Sequence, residues 1–140
     1  MTMTGGNLVL IHPDILAVPR GGRVFPDTNI WVNAIHTTAP FHLQARAALA
    51  VLRGNGVELF TSRQVLREYA ATMTRPQSFS APLPGSIVTA NVNRILAMTT
   101  VVEDGPSVFF ELLNFLNTIS FGGKKVHDAN IAATLRAHNM

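Results

Sequence analysis

Cysteine is absent from the 140 residues, which excludes a disulfide framework and any thiolate metal site. A metal ion would have to be held by oxygen or imidazole. Long apolar runs are lacking too. Those at residues 8–11 and 112–116 break within a few positions, far short of the ~20 that a membrane-spanning helix needs. The first residues show no basic stretch leading into an apolar segment and a small-residue cleavage site, the pattern of a secretory leader. The expectation is a cytoplasmic protein with no membrane partner. Charge is scarce as well, with Asp, Glu, Lys and Arg making up 14% of the chain. With eight acids in total, the placement of each carboxylate is informative.

What the sequence does hold is a 47% apolar content, enough to fill one core at this length. The expected organisation is an extension over residues 1–22 and one domain over 23–140. Lys and Arg outnumber Asp and Glu by 11 to 8, for a net charge of +3 and a pI near 10.2. That balance leans toward polyanionic partners.

Along the chain, apolar runs bounded by turn residues alternate with helical periodicity. The extension offers one short apolar run at residues 8–11. Val24 and Phe25 then form a buried strand ahead of Asp27, kept short by Pro26, which cannot donate to a strand ladder. A helix opening at Pro40 has Leu43, Ala47, Ala50 and Val51 at helical spacing and is closed by Gly54 and Gly56. Residues 57–60 give a second strand. Thr61 or Ser62 is placed to cap a helix over 63–74, striped by Leu66, Tyr69, Ala70 and Met73 and stopped by Arg75-Pro76. After a Pro-rich loop over 77–85, a helix over 86–97 has Val88, Val92, Ile95 and Leu96 as its inner face. The β-branched run at 99–102 supplies a third strand. Pro106 opens a helix carrying Val108, Leu112, Phe115 and Ile119 and ending at Gly122-Gly123. A final helix begins at Asp128 with Ile131, Ala132 and Leu135. This alternation implies a parallel sheet with helices on both faces.

Ligands of such a sheet gather at the carboxyl ends of its strands, and Asp27 lies at one. An isolated Asp at a strand-to-helix turn reads first as a helix cap. Glu68 falls at the flank of its helix's apolar stripe, where the plain alternative is a solvated acid paired with Arg67 or Arg75. Asp128 is a first-turn acid, favoured there by the helix dipole, and taken alone it reads first as an ordinary cap. Together, however, all three adjoin elements that the sheet brings to one end. Converging carboxylates repel unless a cation neutralises them, and Mg²⁺ or Mn²⁺ suits an all-oxygen set.

Three segments resemble the ordered motifs of PIN domains. Phe25-Pro26-Asp27-Thr28-Asn29-Ile30 is similar to the first, Leu66-Arg67-Glu68-Tyr69 to the second, and Val126-His127-Asp128-Ala129-Asn130-Ile131-Ala132-Ala133 to the third. Thr74-Arg75-Pro76 and Gly122-Gly123-Lys124-Lys125 look like versions found among bacterial VapC-type toxins. The similarity runs from Val24 to the end. It implies a PIN-like α/β sandwich, a parallel β-sheet flanked by helices. It also implies Mg²⁺- or Mn²⁺-dependent endoribonuclease activity by a metal-activated water, and a toxin silenced by an antitoxin protein. By the same resemblance Asp27, Glu68 and Asp128 are the metal ligands and catalytic acids, with Thr28 or Asn29 steadying them. His127 is left as a loop residue. RNA is expected to meet Arg63, Arg67, Arg75, Lys124 and Lys125, which flank the acids.

The sequence departs from the family in one respect. PIN domains continue past the third motif into a strand with a fourth acid, commonly in a Thr-x-Asn/Asp-x-x-Asp-Phe pattern, whereas this sequence ends at Met140. The expectation is a sheet without its closing strand and with an exposed edge inviting a second copy, hence a homodimer. Asp14, in the extension, is a candidate replacement acid. Competing readings are a catalytically impaired PIN-like module that binds RNA or an antitoxin, a nuclease acting on DNA, and a structural domain whose acids are caps.

Overall fold

The computed structural model describes residues 18–118 and 125–139, with the side chains of Thr118 and of 125–129 outside that description. The apolar run at 8–11, Asp14, Ile119, the Gly122-Gly123 stop and Lys124 also lie outside it. Two compact units divide the chain, Met1–Val101 and Val102–Met140.

In the first unit, β1 (Arg23–Val24) ends before Pro26, as the missing donor requires. It leads into α1 (Thr28–Ile35). Helix α2 (His42–Gly54) follows. Gly56, at φ 68°, makes the left-handed turn that ends it. Its amide donates to Arg53 O (3.0 Å), and that of Val57 donates to Leu52 O (3.0 Å). Strand β2 (Glu58–Ser62) runs directly into α3 (Arg63–Met73). Then come α4 (Gly85–Met98) and β3 (Thr100–Val102). The sheet order is β1-β2-β3. Strands β1 and β2 are parallel, pairing Arg23 with Glu58 and Val24 with Leu59. Parallel pairing puts the carboxyl ends of both strands on one side, so α1 and α3 start from the same edge of the sheet.

The core of this unit gathers Phe25, Trp31, Leu59, Val65, Tyr69, Met73 and Ile95, all buried. One expected stripe is on the wrong side. Helix α2 buries His42, Ala45, Leu49 and Leu52, whereas Leu43 is 77% exposed and Val51 45%. The polar His42 turns inward because its Nδ1 lies 2.9 Å from the Asn33 carbonyl. Helices α3 and α4 share the expected inner residues Tyr69, Met73, Val88 and Ile95, with Gln64 and Asn91 buried among them. Leu96, expected inside, is 38% exposed.

The second unit holds α5 (Pro106–Thr118) and α6 (Lys125–Ala137), which pack together. Val108, Ile131 and Ala133 are buried. Arg136 pairs with Glu111 at 3.1 Å and lies over the Phe115 ring. Asn130 donates to Asp104 Oδ2 at 3.1 Å. Helix α6 begins at Lys125, three residues before the expected start at Asp128. Among the described residues no helix is long and apolar enough to cross a membrane.

Candidate active site

Asp27 sits where β1 gives way to α1. Its backbone is extended, and Oδ1 accepts from the Ile30 amide at 3.2 Å, so it caps α1 as an aspartate at this turn is suited to do. Where β2 gives way to α3, the Ser62 hydroxyl accepts from Val65 N at 3.3 Å and caps the helix. Two caps at one sheet edge start two adjacent helices. Glu68, in the second turn of α3, faces α1.

The two motifs meet through a hydrogen bond. Thr28 Oγ1, on the residue after Asp27, donates to Glu68 Oε2 at 2.8 Å across 40 residues of sequence. The other Glu68 oxygen, Oε1, accepts from Gln64 Nε2 at 2.8 Å, one turn back on the same helix. Asp27, Thr28 and Glu68 are half-buried, while Gln64 is buried. Asn29, named with Thr28 as a residue to steady the acids, is exposed. Its carbonyl accepts from Asn33 Nδ2 at 2.9 Å, which stiffens the first turn of α1.

The residue after Glu68 belongs to an aromatic pair. The buried Tyr69 hydroxyl lies 2.8 Å from His36 Nε2 at the end of α1, with the rings stacked at 5.9 Å. Burial pushes the His36 pKa below its ordinary value, with the His42 and Arg94 charges adding to the effect. Burial likewise raises the Tyr69 phenol, opposed by its hydrogen bond with Asn91 and by the Arg94 charge.

Asp27, Thr28 and Glu68, all half-buried, offer oxygen donors only. Such a set fits a hard divalent cation that keeps several waters and meets phosphate oxygens. Among the described residues, no group of three histidine or acidic side chains is placed to hold a metal ion. Asp128 lies in α6, and its side chain is outside the description, as are those of Lys125 and His127. Arg63 and Arg67 lie one turn apart on α3 and Arg75 just past its end, all exposed. Sequence reasoning missed Gln64. The available signal was its spacing, since a Gln four residues before a Glu on a helix is a neighbour able to donate to it.

The sequence matches the PIN domain family over residues 24–140. The chain belongs to the PIN family. Its fold is likewise similar to a solved structure described as VapBC2 from Rickettsia felis bound to a DNA fragment from their promoter. That match has a TM-score of 0.59 and 17% identity, covering 84% of this chain and 82% of that one. No curated protein matches it. The PIN match begins at Val24, the second residue of β1, and takes in all three acid-bearing segments. The α/β fold expected from the motif order is therefore the one observed.

Proposed function

We propose that this PIN domain is a Mg²⁺- or Mn²⁺-dependent endoribonuclease and the toxin of a toxin–antitoxin pair in the cytoplasm. The observation that carries the reading is the 2.8 Å bond from Thr28 to Glu68, which joins the first acidic motif to the second at one sheet edge. Structural acids acting only as caps would need no such link. Asp128 is proposed as the third acid on the strength of its His-Asp-Ala motif. A divalent cation held by these carboxylates would offset their repulsion, lower the pKa of a water and stabilise charge on the phosphate under cleavage.

The chain's own groups divide the remaining work. Asp27 and Glu68 supply the negative oxygens, Thr28 holds Glu68 against α1, and the exposed Arg63, Arg67 and Arg75 attract the RNA backbone. Lys124 and Lys125 are proposed for the same role. Likeness to VapBC2 supports an antitoxin protein as partner, and pairing with a second copy is proposed alongside it.

The test is cleavage of labelled RNA with and without Mg²⁺ or Mn²⁺, set against Asp27→Asn. Asparagine caps a helix about as well as aspartate, so this variant should keep its fold and unfolding midpoint while losing at least about 100-fold in cleavage rate, roughly 2.7 kcal/mol of barrier. Cleavage that survives both chelation and the substitution defeats the proposal. A labelled single-stranded DNA of the same sequence distinguishes a ribonuclease from a nuclease indifferent to the sugar.

A further inference from the structure

We propose that Gln64 is a positioning residue for Glu68, fixing the orientation in which that carboxylate meets a divalent cation. The inference rests on reading Asp27 and Glu68 as a cation site. It adds a residue outside the three acidic motifs.

Three observations on the structure carry it. First, Glu68 Oε1 accepts from Gln64 Nε2 at 2.8 Å while Oε2 accepts from Thr28 at 2.8 Å. Each oxygen has one donor, from a different direction. A carboxylate offers about four lone-pair positions, so two donors fix its plane and still leave room for a cation. Second, Gln64 is 6% exposed although glutamine is mostly found at surfaces. A buried amide is retained where it is hydrogen-bonded, and here its nitrogen is used on Glu68. Third, Glu68 is only half-buried, and a glutamate free to rotate gives up rotamer entropy when ordered. Gln64, anchored one turn back on the same helix, imposes that order before any ion arrives. Outer-shell partners of metal ligands act in this way, and their removal typically costs 10–100-fold in affinity.

The experiment is calorimetric titration of the full chain with Mn²⁺ alone, for wild type, Gln64→Met, Gln64→Asn and Glu68→Gln. Methionine keeps the length and helix preference of glutamine without the donor. Asparagine keeps the amide but is too short to reach Oε1. Both Gln64 variants should bind Mn²⁺ about 10-fold more weakly than wild type, or worse, with metal-free far-UV circular dichroism unchanged. A folded Gln64→Met or Gln64→Asn with wild-type affinity overturns the inference and leaves the cation site standing, provided Glu68→Gln binds weakly. A wild-type chain that binds no Mn²⁺ overturns both. Should the Gln64 variants fail to fold, the unaltered protein still decides. Its Gln64 side-chain amide resonances should shift on Mg²⁺ addition and lose that response in Glu68→Gln. An amide indifferent to Mg²⁺ overturns the inference.

Discussion

Tyr69 follows Glu68 directly, yet the two side chains live in different electrostatic worlds. Glu68 is half-buried, whereas Tyr69 is fully buried and bonded to His36. Burial holds the His36 imidazole neutral and the Tyr69 phenol protonated, so the phenol can donate to Nε2 without either group carrying charge. In the unfolded chain His36 returns to a pKa of about 6.5. Its native pKa is lower, so over the window between the two values the unfolded chain binds the proton that the native chain refuses. The stabilising contribution is full above about pH 6.5 and declines as pH falls toward the native value. Urea denaturation of wild type should therefore show stability decreasing from pH 7 to pH 5, with a shallower decrease in His36→Phe. That substitution keeps a ring against Tyr69 but removes one of the two partners of the buried hydroxyl, leaving Asn91. It should cost about 0.5–1.5 kcal/mol at pH 7. A pH slope identical in the two proteins would show that other groups titrate.

At the level of elements, α2 separates what pattern reading captures from what packing decides. The sequence places a helix there and puts Gly56 at its stop, and both hold. Its inward face differs from the expected one because alanines recur all around α2, leaving Leu43 and Val51 to set the expected stripe. The deciding contact is polar and distant in sequence, His42 to the Asn33 carbonyl, and apolar periodicity does not register it. Leu49→Ala should therefore destabilise by about 2–5 kcal/mol as a core truncation, while Leu43→Gln should stay within about 0.5 kcal/mol. Chemical denaturation measures both, and a reversed order would restore the original stripe. Helix α3 was more legible. Ser62 as cap, Arg75-Pro76 as stop and Glu68 at the flank of the apolar face were all readable, because local chemistry sets each. The Thr28–Glu68 bond was not, since two helices 40 residues apart had first to start from one parallel edge. Gln64 escaped for a different reason. Glutamine carries no charge, and a search for acids passes over the amides that hold them.

Across the whole chain, 11 basic residues against eight acids give a field that is only mildly positive, too weak to concentrate RNA without local clustering. Arg63, Arg67 and Arg75 are exposed on and just after α3, close in sequence to the glutamate proposed to act on the phosphate. Counterion release turns this into a measurable slope. Three phosphate contacts on a single strand correspond to a change in log K of about −2 per unit of log salt concentration. Fluorescence anisotropy on a labelled single-stranded RNA, using Asp27→Asn so that the strand stays intact, should return a slope near that value. Removing one contact, as in Arg67→Gln, should bring the slope toward zero by about 0.7 and weaken binding to unrelated RNA sequences alike, because phosphates carry no base identity. A slope left unchanged by Arg67→Gln would move the RNA path off α3, and the proposed cation site would then have to receive its substrate from another face.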